Sequence, residues 1–109
     1  MTMKEKVTPQ SLCDALMRDV YYPFSACVCL DADGNILSLW HFDAAFCTRA
    51  PRIAPGTREA WLISSHPEGS MTPEPEDRHA AQRLREALGG LPLRTFITSE
   101  DDGCLAVAY

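Results

Sequence analysis

A histidine and an aspartate are the side chains of this sequence best placed to do chemistry together. His66 follows a short apolar segment, a stretch containing proline and glycine comes next, and Asp77 lies in the first turn of a predicted helix. A histidine that leaves a buried strand and an aspartate at the start of the following helix can converge on one point. Because imidazole and carboxylate are both zinc ligands, the pattern indicates a candidate metal corner.

Around this pair the sequence resembles the RadC-like branch of the JAB/MPN (JAMM) metalloprotease family. The family pattern is roughly H-x-H-P-x-G-x-x-T-P-S-x-x-D, followed by a helix with R-L-x-E-A, which resembles residues 83–87. Residues 28–37 are similar to the family's first hairpin, so the resemblance covers about 24–109 and implies one JAB/MPN-type domain over 1–109. The matched motif positions are His66, Pro67, Gly69, Thr72, Pro73 and Asp77.

Three positions depart from the family pattern. Ser64 stands at the first histidine, Glu74 stands at the catalytic serine, and the second strand offers Asp43 where the family has a general-base glutamate. A catalytic zinc usually has three protein ligands and a water, so His66 and Asp77 alone would hold zinc weakly. We therefore expect no cofactor and no catalysis. If the protein were active, Asp43 would be the base, beside Glu74.

A nonstandard zinc site is the alternative that the residues leave open. Glu74 or His41 could act as a third ligand beside His66 and Asp77, since zinc accepts both carboxylate and imidazole. The ordinary interpretation is that carboxylates in a proline-rich loop are solvated.

Three other reactive side chains are predicted to have structural or surface roles. His79 lies two residues beyond Asp77 on the second helix, so its side chain is expected to point away from that carboxylate. Cys27 and Cys29 project to the same face of one strand and have no basic neighbour in the sequence, which favours a core role over a nucleophilic one.

Hydrophobic spacing and turn residues predict the elements that position these side chains. Helical spacing predicts helices over residues 9–19 and from Pro75 or Glu76 to the residue before Gly89. Apolar and β-forming runs predict strands at 24–31, 36–43, 60–64, 93–98 and 104–109, and residues 44–58 are expected to form an exposed loop. The fold class is therefore α/β (α+β): a mixed sheet of about five strands with two main helices.

Composition limits the class of protein. A chain of 109 residues with 46% hydrophobic residues fits one domain, and it contains no predicted signal peptide or membrane span. The five cysteines lack C-x-x-C spacing and are predicted to be reduced thiols in the cytoplasm. A net charge of −5 disfavours direct nucleic-acid binding.

These observations lead to three hypotheses about function. The first is a non-catalytic binding or inhibitory protein with a protein partner. The resemblance extends this to a phage- or mobile-element-borne inhibitor of a host complex such as CRISPR. The second is a zinc-dependent JAMM-type hydrolase or isopeptidase with an altered ligand set, and the third is a homodimer formed through an exposed strand edge. The expected binding residues lie in the loop and in an acidic turn: Arg49, Arg52, Arg58, Glu100, Asp101 and Asp102.

Overall fold

Five strands and one helix make up the described part of the protein. The computed structural model describes residue 12 and residues 25–42, 53–66, 72–99 and 103–109, with only the backbone at 41 and 42. The elements are β1 (Ser25–Leu30), β2 (Ile36–Phe42), β3 (Glu59–Ser65), α1 (Pro75–Leu88), β4 (Leu93–Ser99) and β5 (Gly103–Ala106).

The strands form one mixed sheet in the order β2-β1-β3-β4-β5. β1 pairs antiparallel with both β2 and β3, while β3 and β4 are parallel and are joined by α1. β5 returns antiparallel to β4. The predicted α+β class with a mixed five-stranded sheet is confirmed. Of the predicted helix at 9–19, only Leu12 is described, and it is helical and buried.

Side-chain alternation along the strands gives the sheet two apolar faces. One face carries Val28, Ile63 and Phe96 and packs with Leu12, whereas the other carries Cys27, Cys29 and Leu62 and packs under α1. Leu62 and the other members of both clusters are at most 9% exposed. Burial of apolar surface on both faces is the main source of stability, at roughly 25 cal/mol per Å².

The boundaries of α1 follow from its capping residues. Pro75 occupies the first turn, where the absence of an N–H costs no hydrogen bond, and Asp77 lies at the third helical position. The helix ends at Gly89, whose φ of 63° is left-handed and whose N–H donates to the Arg85 carbonyl at 3.2 Å. Glycine adopts this conformation without the steric cost that a side chain brings.

Two sequence-based predictions are wrong. The last strand, predicted over 104–109, ends at Ala106, after which the Val107 N–H donates to the Thr95 carbonyl at 3.1 Å. The prediction of five reduced cysteines fails at Cys104, which is disulfide-bonded, while Cys27 and Cys29 are free and buried. Disulfide formation requires two Cα atoms within about 7 Å, a property of the fold that cysteine spacing does not reveal. No helix among the described residues has both the length and the apolar character needed to span a bilayer.

Candidate functional site

His66 and Asp77 meet at the corner between β3 and α1. His66 is the residue after β3, and its N–H donates to the Thr98 carbonyl at 2.9 Å, which keeps it aligned with β4. The His66 Nε2 atom lies 2.7 Å from Asp77 Oδ2, and each side chain is 7% exposed. The convergence expected from the sequence is therefore present, as a direct hydrogen bond.

Asp77 also has a local role at the start of α1. Its Oδ2 accepts a hydrogen bond from the Glu74 N–H at 2.9 Å, so one carboxylate oxygen serves both the histidine and the helix terminus. The first N–H groups of a helix have no partner within the helix, and an acidic side chain in the first turn also complements the helix dipole. Asp77 therefore contributes to helix capping whether or not the corner has another function.

The spacing of these two groups does not fit a shared zinc ion. Bonds of roughly 2.0–2.2 Å at a tetrahedral centre place two ligand atoms about 3.3–3.6 Å apart. His66 Nε2 and Asp77 Oδ2 are only 2.7 Å apart, so their direct hydrogen bond must break before both bind one ion. Across the described residues, no group of three histidine, cysteine, aspartate or glutamate side chains is placed to hold a metal.

The two proposed third ligands, Glu74 and His41, are described to different extents. Glu74 is exposed, and the structure describes only the backbone of His41. His79 is exposed on α1. Asp43, the predicted base of an active enzyme, lies outside the described residues.

Ser64, at the family's first histidine position, is bonded to a residue from the far end of the sequence. Its Oγ lies 3.0 Å from the Tyr109 hydroxyl, which is 3.4 Å from the Phe96 carbonyl. The main-chain oxygen of Tyr109 accepts a hydrogen bond from the Arg85 guanidinium on α1. Sequence reasoning did not identify Tyr109, because no local spacing links it to Ser64.

The surroundings of Tyr109 keep its phenol protonated. Burial is the largest cause that raises its pKa above the ordinary value, and the charge of Asp77 raises it further. The hydrogen bond with Ser64 and the charge of Arg85 act in the opposite direction. Tyr109 therefore carries a neutral hydroxyl, and the charge of Asp77 at the corner acts on it.

The two free cysteines are not placed for nucleophilic chemistry. Cys27 and Cys29 are 2% and 1% exposed beneath α1. Burial raises the pKa of Cys27 to about 12, and the neighbouring Cys29 adds to the shift. Because the thiolate is the reactive form, a thiol with this pKa is inert near neutral pH.

Of the predicted binding residues, only Arg58 is described. Its side chain is exposed and its N–H donates to the Leu30 carbonyl at 2.8 Å. The remaining predicted binding residues lie outside the described ranges: Arg49, Arg52, Glu100, Asp101 and Asp102.

Comparison with known proteins gave no match. No protein-family model matches the chain, and neither a curated protein nor a solved structure is significantly similar to it. The resemblance to RadC-like JAB/MPN domains therefore remains a prediction from the motif residues.

Proposed function

We propose that this protein is a non-catalytic binding or inhibitory protein on a degenerate RadC-like JAB/MPN fold. The proposal rests on the direct hydrogen bond between His66 Nε2 and Asp77 Oδ2. The two side chains with metal-binding chemistry satisfy each other in a buried setting, and Asp77 also caps α1. Replacing these contacts with bonds to zinc costs hydrogen bonds that the helix start needs.

Ser64 supports the same proposal. A serine hydroxyl is a poor replacement for an imidazole ligand, and this one already shares a hydrogen bond with the Tyr109 hydroxyl. Catalytic zinc needs three protein ligands and an open position for water. The described corner offers two ligand side chains, His66 and Asp77, and these are hydrogen-bonded to each other. The donor set therefore does not fit zinc, and we derive no catalytic step through it.

Metal analysis tests the non-catalytic part of the proposal. The full chain, expressed with added zinc and purified, is analysed by plasma mass spectrometry beside His66→Ala and the control His79→Ala. We expect zinc well below one ion per chain in all three proteins. Stoichiometric zinc that is lost only in His66→Ala would support the alternative, a zinc-dependent JAMM-type hydrolase with an altered ligand set.

The binding part of the proposal is a contact with a protein partner through charged surface segments. Arg58 is exposed, and the sequence places Arg49 and Arg52 nearby in the chain. A net charge of −5 disfavours a nucleic-acid partner, because backbone binding needs clustered basic residues. Charge complementarity at such segments governs association rate and partner choice.

Capture from a lysate of the native host tests this contact. We expect the double variant Arg49→Glu/Arg52→Glu, or charge reversal at Asp101 and Asp102, to lose the partner that the unchanged chain retains. Arg78→Glu is the matched control, because Arg78 is exposed on α1 and belongs to neither segment. Retention of the same partner by both charge-reversed variants would contradict the proposed contact.

The resemblance also supports a source and a target for the proposal. RadC-like proteins are commonly carried on mobile elements, so we propose a phage- or plasmid-encoded protein that acts in the cytoplasm on a host complex, such as a CRISPR complex. The disulfide at Cys104 weighs against the cytoplasm, where thiols are usually kept reduced. Free-thiol counts on protein alkylated directly in cells decide between a reduced and an oxidised Cys104.

A further inference from the structure

Cys104 is disulfide-bonded, and the sequence leaves two candidates for its partner. The chain contains five cysteines, of which Cys27 and Cys29 are free thiols. The partner of Cys104 within this chain is therefore Cys13 or Cys47, both of which lie outside the described residues. The described residues around Cys104, and those nearest to each candidate in sequence, distinguish the two.

Cys104 lies on the face of the sheet that Leu12 covers. On β5 it is paired with Thr98, two residues beyond Phe96 on β4, and alternate residues of a strand point to the same face. The half-buried side chain of Cys104 packs against the apolar cluster that contains both Phe96 and Leu12. Cys104 and Leu12 therefore belong to one hydrophobic cluster on one side of the sheet.

Leu12 brings its neighbour in sequence to this side of the sheet. Leu12 is helical and 9% exposed, and Cys13 follows it directly. Consecutive Cα atoms are about 3.8 Å apart, and a disulfide joins Cα atoms that are about 4.4–6.8 Å apart. A bond between Cys13 and Cys104 therefore links two segments that already pack in the same cluster.

Cys47 would have to reach Cys104 from the opposite edge of the described sheet. Phe42, at the end of β2, lies in one row with Leu105 of β5, four strand spacings or about 19 Å away. Six residues after Cys47, Ile53 packs beneath α1 on the other face. Six residues extend over at most roughly 21 Å. That length would have to cover the return across the sheet and the passage to its other face, which disfavours Cys47.

We propose that Cys104 is bonded to Cys13, so that a disulfide joins the segment containing Leu12 to β5. A cross-link between residues far apart in sequence closes a long loop, and it therefore restricts the unfolded chain more than a short loop does. The stability of the fold then depends on the redox state of this pair. The proposal goes beyond the proposed binding function and does not depend on it.

The cross-link forms and opens by two-electron thiol–disulfide exchange. When glutathione disulfide is the oxidant, the two cysteine thiols lose two electrons and two protons, the bond between Cys13 Sγ and Cys104 Sγ forms, and two glutathione thiols are released. Dithiothreitol reverses the step: it returns two electrons and two protons to the cysteines and becomes a cyclic disulfide. The oxidised and reduced forms of one preparation can therefore be compared.

Peptide mapping of the full chain tests the pairing directly. The chain is equilibrated with glutathione disulfide, unfolded in N-ethylmaleimide to block its free thiols, and digested with trypsin without reduction. Cleavage after lysine and arginine places Cys13, Cys47 and Cys104 in separate peptides, residues 7–18, 19–49 and 95–109. We expect 95–109 to be linked to 7–18. A link to 19–49, or no link in the oxidised chain, overturns the proposal.

Two serine variants measure the effect of the bond on stability. Cys13→Ser cannot form the bond, whereas Cys47→Ser is the matched control and keeps it. By circular dichroism, we expect dithiothreitol to lower the melting temperature of the unchanged chain and of Cys47→Ser by at least about 10 °C. Cys13→Ser melts at the lower temperature with or without dithiothreitol.

Two results of the melting experiment overturn the proposal. One is an equal response to dithiothreitol in Cys13→Ser and the unchanged chain, and the other is no response in the unchanged chain. If Cys13→Ser does not fold, the peptide map of the unchanged chain still decides the pairing. The pairing and the zinc content are measured separately, so failure here leaves the non-catalytic proposal standing.

Discussion

Replacing Asp77 by alanine removes two contacts at once, and the cost can be worked out from their geometry. Asp77 Oδ2 accepts from the Glu74 N–H and is bonded to His66 Nε2. Loss of a helix-capping side chain costs about 1 kcal/mol. Loss of a buried hydrogen bond to a carboxylate costs about 1.5–3 kcal/mol. We therefore expect Asp77→Ala to lower the free energy of unfolding by about 2.5–4 kcal/mol.

Urea denaturation followed by circular dichroism at neutral pH measures this loss. A double-mutant cycle with His66→Ala isolates the pair, and we expect a coupling energy of about 1–2 kcal/mol. Asp77→Asn keeps an acceptor for the Glu74 N–H, so its loss is smaller than that of Asp77→Ala. His79→Ala is the control on the same helix and changes stability by less than about 0.5 kcal/mol.

Two results would refute this reasoning. If Asp77→Ala costs no more than His79→Ala, the carboxylate contributes neither to the helix start nor to the corner. If the single losses simply add in the double variant, His66 and Asp77 do not interact in solution. Either result removes the physical basis for saying that His66 and Asp77 are hydrogen-bonded to each other and not available to a metal.

Three further predictions concern single residues. Tyr109→Phe lowers the free energy of unfolding by about 1 kcal/mol at neutral pH. Because folding raises the pKa of Tyr109, its phenol stabilises the fold below pH 10.0, and this stabilisation is lost as the pH rises above that value. Urea titrations below and above pH 10.0 should therefore show a smaller loss of stability at alkaline pH for Tyr109→Phe than for the unchanged chain. Iodoacetamide near neutral pH leaves Cys27 unmodified until urea unfolds the protein, and modification of the folded state, read by mass spectrometry, would contradict its burial. Gly89→Ala costs about 1 kcal/mol in the same titration because φ at this position is 63°, and an unchanged stability would argue against the left-handed cap.

Local patterns predicted the sheet well. Predicted strand 60–64 appears as Glu59–Ser65 and predicted strand 93–98 as Leu93–Ser99, because apolar runs bounded by turn residues identify buried strands. The start of α1 at Pro75 was also predicted, since proline and acidic residues favour the first turn. The end of the last strand was not predicted, because after Ala106 the chain no longer pairs with β4 and Tyr109 packs against the cluster beneath α1.

The candidate site was predicted only in part, for a similar reason. His66 and Asp77 are joined by one loop, so strand and helix boundaries alone bring them to the same corner. The Ser64–Tyr109 bond links residues 45 positions apart and depends on how β5 returns beside β4. The disulfide at Cys104 likewise depends on chain paths that cysteine spacing does not encode.

The most direct test of the central claim is the state of the His66 imidazole when zinc is offered. A long-range ¹H–¹⁵N NMR spectrum of the labelled chain reports both ring nitrogens, before and after one equivalent of zinc chloride. We predict that the His66 resonances do not move, because Nε2 stays bonded to Asp77 Oδ2 at 2.7 Å. A shift of Nε2 to the range of a metal-bound nitrogen, saturating at one zinc per chain, would contradict the account.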